Sequence, residues 1–424
     1  MTHVVFVDVN RSGVRGLEVA LERGYRVSLI RCVAFSGFHG GARTQAVIAE
    51  LNRVVDITDS SNPDCVAEGI ARIQAEEPID AVICVAHWAV YATALAARRL
   101  GLRFTEPEAI RRAYDKLLCR QTLESYGVPS TRYAEVANAE EALERAADFG
   151  YPVILKPATG YGSLLSKMAD TSEEVRRYFE GYEDAVSKID PIVRRDVVGK
   201  LIMEQRLIGE LFSVEIGVTK TQIILPFMID QRKRTDHDEI IELGSSVPPD
   251  LSNAEQQRMI DYTTQVIHAL GLDLGIFHIE IIETEEGPRL VDANPRLMGG
   301  NLPELFHSST GLDIFDFLLD IHLGRNLERT RFVPVRAATS RTIAAKAAGR
   351  VATGLEDDWL EEFRPRMEIC QINVTPGQEV GAVADNFSTL GFFQVTGSSY
   401  RETVEAADNL VREIGERLGI DVAL

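Results

Sequence analysis

The chain has 424 residues, of which 45% are hydrophobic and 26% are charged. This composition is typical of a globular protein, and the length predicts roughly two to four compact lobes rather than a single core. The formal net charge of −19 argues against a nucleic-acid or anionic-membrane surface, although it does not bear on a local basic pocket.

Cysteine usage and the N-terminus indicate a cytoplasmic protein. The five cysteines are scattered and never spaced as CxxC, which favours reduced, mostly buried thiols and no zinc cluster. A strand-like run begins at Val4, so no signal peptide is expected. The apolar stretch 81–97 contains His87 and Thr93, and it is predicted as a buried strand followed by a helix, not as a membrane span.

The first ~110 residues alternate strands and helices in a βαβ manner, which predicts a parallel sheet. The predicted strands are Val4–Val7, Arg26–Ile30 and Ala81–Val85, and the predicted helices are Val14–Arg23, Cys65–Glu76 and Ala89–Leu100. The loop from Asn10 to Gly16 follows the first strand but lacks GxGxxG, so a tight turn is favoured over an NAD site.

Helices and strands continue along the rest of the chain. The expected helices are Ala109–Tyr126, Ala139–Phe149, a charged region 172–198, Asn253–Leu270 after a Ser252 cap, and Arg401–Leu418. The expected strands are one near Tyr133, Pro152–Lys156, Leu201–Glu204 and the amphipathic strands from Leu211 to Phe227.

A glycine loop follows a lysine at the end of an apolar strand. Lys156 ends the strand, and Gly160, Gly162 and Ser163 follow it. Backbone N–H groups in such a loop can approach phosphate oxygens closely, and the lysine supplies positive charge. The loop is not a Walker A motif, and an exposed turn with a solvated lysine is an equally good interpretation of this segment alone. Lys116 alone is most simply a lysine on a helix surface.

The most informative segment is a predicted β-hairpin. Residues 275–283 and 289–294 alternate as strands do, with Glu-Glu-Gly between them as the turn signal. If residues 284 and 288 pair across a three-residue loop, the register of the remaining pairs follows from side-chain alternation.

This register places four polar residues on one face of the hairpin. Glu280 faces Asp292, and His278 faces Asn294. Two carboxylates that close repel unless one is protonated or a cation lies between them. Together with an amide oxygen they form the hard donor set that Mg²⁺ takes beside nucleotide phosphates, and Arg296 could hold a phosphate there.

The alternative is a solvated hairpin whose acidic residues happen to alternate. The apolar flanking residues argue against it, because a hairpin apolar on both faces is buried and buried carboxylates need partners. These flanking residues are Ile276, Phe277, Ile279, Ile281, Leu290 and Val291.

The order of these motifs resembles the ATP-grasp superfamily. The motifs are Asp115-Lys116, Pro152–Pro157 with its glycine loop, Met203–Gly209, His278–Glu280 and Asp292–Arg296. Within the superfamily, Gly275–Glu280 and Arg296–Gly300 look most like the carboxylate–amine ligases that include the L-amino-acid (dipeptide) ligases. The resemblance implies an α/β (α+β) architecture with an N-terminal Rossmann-like domain (1–110), an ATP-grasp domain (111–325, with a mobile lid at about 131–205) and a C-terminal lid-like α+β domain (326–424).

The resemblance also implies roles for individual residues. Lys116 and Lys156 would contact the phosphates, Gly160, Gly162 and Ser163 would form the lid loop, and Glu204, Gln205 and Leu207 would hold adenine. Glu280, Asp292 and Asn294 would bind Mg²⁺, two ions that Mn²⁺ can replace. Arg296 would stabilise the transferring phosphoryl group, and His278 would line the substrate pocket or act as a core histidine.

One position departs from the family pattern and one segment is variable. A ribose-binding glutamate is usual where this chain has Leu211, so Glu210 or Glu215 is expected to replace it. Segment 231–248 is either a solvated loop or a site for triphosphate and substrate carboxylate. Its candidate residues are Arg232, Arg234, His237 and Glu242, and Gly299 and Gly300 are further substrate candidates.

The predicted activity is ADP-forming ligation of a carboxylic acid, expected to be an amino acid, to an amine, with acyl phosphate as intermediate. The partners would be these small molecules and a second copy of the chain, without nucleic acid or membrane. The alternatives are another ATP-grasp ligase, such as a purine-pathway ligase or a carboxylase, a non-catalytic ATP sensor, and an NAD-dependent enzyme.

Overall fold

The computed structural model describes residues 1–35, 41–160, 162–189, 194–195, 197–235, 241–327, 332–386 and 388–424. The described part of the chain forms a mixed α/β structure with three larger sheets and a small two-stranded one. The predicted α/β class is therefore confirmed. None of the helices in these ranges is long and apolar enough to cross a membrane. The five cysteines are free thiols.

The N-terminal segment forms a four-stranded parallel sheet in the order β3-β2-β1-β4. Its strands are β1 (His3–Val7), β2 (Arg26–Cys32), β3 (Arg53–Ile57) and β4 (Ala81–Ile83). Its helices are α1 (Val14–Glu22), α2 (Ala42–Glu50), α3 (Pro63–Gln74) and α4 (Val90–Arg99). The predicted strands and helices are found here, and α2 and β3 are additional elements that the sequence pattern did not indicate.

The predicted single helix 109–126 is wrong, because the structure has two helices. They are α5 (Pro107–Tyr114) and α6 (Lys116–Ser125). Asp115 has extended backbone angles and its side chain accepts a hydrogen bond from the Leu118 N–H, so it caps the second helix. The carboxylate thereby satisfies an N–H group that has no partner within the helix.

A second sheet lies in the segment predicted to be a mobile lid, and it is called the lid sheet below. Its order is β5-β8-β6-β7, and all of its neighbouring strands are antiparallel. The strands are β5 (Tyr133–Val136), β6 (Val153–Pro157), β7 (Lys167–Ala169) and β8 (Leu201–Gln205). Two helices, α7 (Ala139–Phe149) and α8 (Ser172–Lys188), accompany them.

The central sheet has eight antiparallel strands in the order β13-β12-β9-β10-β11-β14-β18-β16. Its strands are β9 (Glu210–Val218), β10 (Ile224–Arg234), β11 (Glu242–Val247), β12 (Gly275–Thr284), β13 (Gly287–Asn294), β14 (Ala337–Ile343), β16 (Ile369–Ile372) and β18 (Gly391–Gly397). β15 (Gly349–Arg350) and β17 (Glu379–Val380) form a small separate sheet. The central sheet contains strands from both sides of the proposed domain boundary at 325/326. The division of the chain into domains stays a proposal.

The described residues also include the helices α9 (Asn253–Leu270), α10 (Leu302–Thr310), α11 (Ile314–Leu323) and α12 (Tyr400–Leu418). Ser252 caps α9 in a capping box with Glu255, which confirms the predicted start of this helix.

Two hydrophobic cores hold the hairpin β12–β13 in place. Ile279 and Ile281 pack with α9 on one side of the sheet. Ile276 belongs to the core shared with the N-terminal sheet and with helix α11. Since side chains alternate along a strand, burial of Ile279 and Ile281 against α9 directs His278 and Glu280 to the opposite face, which they share with Ile276. The core therefore decides where His278 and Glu280 point.

Gly244 connects β11 to the C-terminal strands. Its φ is +148°, and a Cβ atom at this position would lie 2.1 Å from the Ser340 carbonyl oxygen of β14.

Gly244→Ala should therefore lower the free energy of unfolding by about 1–3 kcal/mol, as overpacking does. Chemical denaturation measures this loss. Gly354→Ala is the matched control, since no atom lies within 4 Å of its added Cβ. Equal stability of both variants would contradict the prediction.

Candidate active site

A cavity of about 1190 Å³ lies where the sheets meet. Of the site residues assigned from the sequence, those that the structure describes line this cavity, with the exception of the two ribose candidates Glu210 and Glu215. They are Lys116, Lys156, Gly160, Gly162, Ser163, Glu204, Gln205, Leu207, Arg232, Arg234, Glu242, His278, Glu280, Asp292, Asn294, Arg296, Gly299 and Gly300. His237 lies outside the described residues. One cleft therefore collects motifs that are far apart in the sequence.

The hairpin has the predicted pairing at the site but not at its turn. His278 pairs with Asn294, and Glu280 pairs with Asp292, as expected. The turn is different, because Thr284 pairs with Gly287 and leaves two residues in the loop instead of three.

A β-bulge restores the register. Glu280 pairs with Asp292, but the next residue, Ile281, pairs with Leu290, so Val291 is an extra residue without a partner in the ladder. The bulge supplies the residue that the shorter turn lacks. Without it, Asp292 would not lie opposite Glu280.

The acidic pair is surrounded by cations and an amide. The Lys116 Nζ atom lies 3.4 Å from Asp292 Oδ2, and His278 Nε2 lies 3.5 Å from Glu280 Oε1. Asn294 Nδ2 donates a hydrogen bond to Glu280 Oε1 at 3.4 Å. These neighbours offset the repulsion between the two carboxylates.

The donor set fits a magnesium ion that shares its coordination with phosphates. Glu280, Asp292 and Asn294 offer oxygen atoms only, which are the ligands of Mg²⁺. No group of three or more His, Cys, Asp or Glu side chains in the described ranges forms a complete metal site. Such incompleteness is expected of Mg²⁺, which keeps waters and substrate phosphates among its ligands.

His278 is a buried member of a charged network. Its Nδ1 lies 3.0 Å from Glu215 Oε2, and its Nε2 lies 3.0 Å from the Arg232 guanidinium. The protonated ring donates from Nδ1 to Glu215. Glu215 also accepts from the Met298 N–H at 2.8 Å. Glu215 is thus engaged away from the cavity and Glu210 does not border it, so neither is placed as a ribose ligand.

The network shifts the pKa values of its members. Burial lowers the pKa of His278, but hydrogen bonds with Glu215 and Glu280 outweigh it and raise the pKa to about 9. Burial raises the pKa of Glu280, whereas His278, Arg232 and Lys116 together lower it to about 2. Glu280 is therefore ionised at neutral pH, as a metal ligand must be.

A second buried cluster joins the lid sheet to helix α6. Glu204 Oε2 lies 2.7 Å from Lys156 Nζ, and Glu204 Oε1 lies 2.8 Å from Arg120 Nε. Burial alone would raise the pKa of Glu204, but the charges of Arg120 and Lys156 lower it to about 2. Burial lowers the pKa of Lys156, and Glu204 opposes this effect.

Lys116 links the glycine loop to the hairpin. Its Nζ donates a hydrogen bond to the Gly160 carbonyl oxygen at 3.1 Å, in addition to the contact with Asp292. Gly160 and Ser163 have φ values of +114° and +59°, so the loop uses left-handed backbone conformations. The lysine on the helix surface and the lysine at the strand end therefore reach the same cavity.

Of the two alternatives for residues 231–248, the solvated loop is wrong where the structure describes this segment, and the binding site stays a prediction. Arg232 lies in β10 and is buried, and it pairs with Asp230 at 2.7 Å and with Glu242 of β11. Its charge is thus already compensated by carboxylates of the chain. Arg234 donates to the Gly209 carbonyl oxygen at 3.1 Å, next to the segment predicted to hold adenine.

Sequence reasoning missed several walls of the cavity. The loop after β1 contributes Asn10, Arg11 and Ser12, and His87 and Trp88 follow strand β4. Burial, together with the charges of Arg296 and Lys116, holds the pKa of His87 well below its usual value. The C-terminal segment adds polar residues: Thr342, Gln371, Asn373, Asp385, Asn386 and Thr389.

The family model of the ATP-grasp domain matches residues 149–303. The chain carries an ATP-grasp domain. The matched residues include Lys156, Glu204 and the whole β12–β13 hairpin. The superfamily resemblance is therefore confirmed.

Two relatives show how far sequence similarity extends. The uncharacterized protein y4rH of Sinorhizobium fredii is 25% identical over 384 residues, which are 88% of this chain and 74% of that protein. The carbamoyl phosphate synthase large chain of Agathobacter rectalis is 23% identical over 276 residues, which are 65% of this chain but only 25% of the synthase.

Solved structures match the fold over almost the whole chain. The L-amino acid ligase from Bacillus licheniformis has a TM-score of 0.77 at 19% identity, covering 100% of this chain and 98% of that chain. The biotin carboxylase domain dimer of the 2-oxoglutarate carboxylase from Hydrogenobacter thermophilus, in complex with MgADP, ADP and bicarbonate, has a TM-score of 0.68 at 17% identity, covering 100% and 90%. These likenesses confirm the predicted ATP-grasp fold.

The Glu204 cluster makes stability depend on pH. In the folded protein the pKa of Glu204 is about 2, below its usual value of 4.5. The ionised Glu204 therefore stabilises the folded state above pH 4.5, and this stabilisation is lost as the pH falls toward 2. Glu204→Gln should therefore lower the free energy of unfolding by about 3 kcal/mol at neutral pH, and by progressively less in acid. Denaturant titrations at several pH values measure the difference.

The control is Glu413→Gln, since Glu413 forms an exposed ion pair with Arg366. Such a pair contributes about 0–1 kcal/mol, so this variant should differ little from the wild type at any pH. A pH-independent loss in Glu204→Gln would contradict the assignment.

Proposed function

We propose that this protein is an ATP-dependent, ADP-forming carboxylate–amine ligase. It activates a carboxylic acid, in our proposal an amino acid, as an acyl phosphate and couples it to an amine or a second amino acid. One observation carries the proposal: the opposed pair Glu280 and Asp292 shares a cavity with Lys116, Lys156 and Arg296. These are the parts that phosphoryl transfer needs, namely metal ligands and cations on the phosphates.

ATP would bind between the lid sheet and the hairpin. Lys116 and Lys156 would contact the phosphates, and the N–H groups of Gly160, Gly162 and Ser163 would approach them from the lid loop. The segment 204–207 would hold adenine through its backbone, because the Glu204 side chain is engaged by Lys156 and Arg120. The MgADP in the Hydrogenobacter thermophilus domain supports a nucleotide with magnesium for this fold.

Glu280, Asp292 and Asn294 would hold Mg²⁺. The ion supplies charge neutralisation of the triphosphate when it is bound. We propose two such ions, with Mn²⁺ as a substitute. His278 would orient Glu280 from one side while Glu215 fixes the ring from the other.

A carboxylate has a poor leaving group, so it must be activated by phosphorylation before an amine can displace it. One carboxylate oxygen attacks the γ-phosphorus of ATP, the bond from that phosphorus to the bridging oxygen breaks, and ADP leaves. A neutral amine then attacks the acyl carbon, the C–O bond to phosphate breaks, and an amide and inorganic phosphate result. Arg296 would stabilise charge on the transferring phosphoryl group, and the closed cleft would exclude water.

Charges on the far wall favour an amino acid over a neutral or purely acidic substrate. Glu304 borders the cavity, and its Oε2 is buried without a hydrogen-bond donor among the described residues. Arg11 also borders the cavity, and its partner is the neutral Gln371 side chain. The charges of Arg43 and Arg11 act on Glu304, but they leave its Oε2 atom without a hydrogen bond. A carboxylate and a guanidinium on this wall suit the ammonium and carboxylate of a zwitterion.

The proposal predicts ADP and phosphate release that requires both an acid and an amine. A coupled ADP-release screen over pairs of amino acids and amines, with mass analysis of the products, identifies the reaction. Glu280→Gln should reduce turnover roughly 100-fold or more, because a metal ligand is lost. Glu283→Gln is the matched control, since Glu283 lies on the same strand but pairs with Arg258 outside the cavity.

Other products separate the alternatives. AMP in place of ADP would contradict the acyl-phosphate route, and full activity of Glu280→Gln would remove the metal assignment. ADP release with bicarbonate or a phosphorylated sugar amine as the sole productive substrate would indicate a carboxylase or a purine-pathway ligase. ATP binding without release in any mixture would indicate an ATP sensor.

The assignment of Glu304 has its own test. Glu304→Gln should lower kcat/KM for the preferred amino acid by about 10-fold or more, as loss of a charge-assisted hydrogen bond does, without changing KM for ATP. The matched 2-hydroxy acid, which lacks the ammonium group, should be used almost equally by both proteins. A similar loss with both substrates would contradict recognition of the ammonium by Glu304.

A further inference from the structure

We propose that Arg120 is a positioning residue that couples the phosphate-binding lysine to the metal-binding hairpin. The inference rests on the proposed nucleotide site but not on the identity of the acid or the amine. Arg120 does not border the cavity, so its effect would pass through the residues that it holds.

Arg120 lies at the junction of three elements. Its side chain comes from helix α6 and is 1% exposed. Nε donates to Glu204 Oε1 of β8 at 2.8 Å, and Nη2 donates to the Val291 carbonyl oxygen of β13 at 2.8 Å. One planar guanidinium thus holds the lid sheet and the hairpin at a fixed separation.

The contact with Glu204 keeps the charge of Lys156 available. Two cations share this one carboxylate, so the cluster of Arg120, Lys156 and Glu204 carries a net charge of +1. Without Arg120, Glu204 would neutralise Lys156, and an incoming phosphate would meet an ion pair with no net charge. Arg120 therefore maintains the attraction for phosphate without touching it.

The contact of Arg120 with Val291 fixes the position of Asp292, a proposed metal ligand. Val291 is the extra residue of the β-bulge, so its backbone lacks a partner in the β12–β13 ladder. Arg120 satisfies its carbonyl oxygen, and the next residue is Asp292. This contact holds the bulge in place and so keeps Asp292 opposite Glu280. The two carboxylates must face each other in order to bind the same cation.

Helix α6 reinforces this coupling. Lys116 stands four residues before Arg120, hence on the same face of the helix, and contacts Asp292. One helix therefore contacts two consecutive residues of the bulged strand, Val291 through Arg120 and Asp292 through Lys116. A shift of the helix would alter phosphate and metal binding together.

Calorimetric titration with ADP, with and without Mg²⁺, tests the inference without any substrate. Arg120→Lys keeps a positive charge for Glu204, but one ammonium group cannot reproduce both arms of the guanidinium. Metal-free ADP affinity should stay within about 3-fold of the wild type. The increase in ADP affinity on adding Mg²⁺ should be smaller by about 10-fold or more, because the charge-assisted hydrogen bond to the Val291 carbonyl oxygen is lost.

Arg120→Met removes both arms, so the metal-free affinity should fall by about 10-fold as well. Arg112→Lys is the matched control, because Arg112 also donates to a backbone carbonyl, that of Leu270, but outside the cavity. Thermal melts of all variants record folding. If neither Arg120 variant folds, the double variant Arg120→Met, Glu204→Met removes both charges and is measured in the same way.

The inference would be overturned if Mg²⁺ increased the ADP affinity of Arg120→Lys as much as that of the wild type and the variant differed only in a lower Tm. Arg120 would then be a purely structural residue. Absence of ADP binding to the wild-type protein would instead overturn the proposed function. Loss of the Mg²⁺ gain in the variant, with intact binding in the wild type and in Arg112→Lys, supports the coupling.

Discussion

The repulsion between Glu280 and Asp292 is the constraint on which the site depends. Their strands pair directly, so the two carboxylates share one face of the hairpin and cannot separate without breaking the sheet. Lys116 and His278 offset this repulsion, and the core beneath the hairpin prevents the strands from turning over. A bound divalent cation would convert the same repulsion into attraction. The hydrophobic core therefore positions the charges, and the charges create the demand for a metal ion.

Buried ions normally destabilise a fold unless each has partners. Here they occur in connected groups, one around Glu204 and one around Glu215, His278 and Arg232. Each group joins elements that come from different parts of the chain. We infer that these groups determine the relative position of lid, hairpin and central sheet more than they increase stability. The proposed role of Arg120 is one consequence, because its cluster also contacts the bulge through the Val291 carbonyl oxygen.

Local patterns in the sequence predicted the hairpin, the lysine at the end of β6 and the Ser252 cap, because alternation and capping depend on near neighbours. The resemblance to a family supplied the fold class, and the Asp115 cap was missed. The turn was predicted one residue too long, and the pairing of Glu280 with Asp292 was nevertheless right because the bulge at Val291 adds one residue. Period-two alternation does not show where a bulge occurs. Arg120 was missed because its partners stand 84 and 171 residues away, although its spacing of four from Lys116 was an available signal. The burial of Arg232 likewise depends on strand pairing that the sequence does not display.

Electron paramagnetic resonance of Mn²⁺ bound in the presence of ADP tests the central claim most directly. If Glu280 and Asp292 hold the metal beside the nucleotide, the wild-type protein should bind Mn²⁺ more tightly with ADP than without it. Asp292→Asn should lose this increase while still binding ADP alone. Equal Mn²⁺ binding in the wild type and in Asp292→Asn would contradict the account, because the cation would then lie elsewhere.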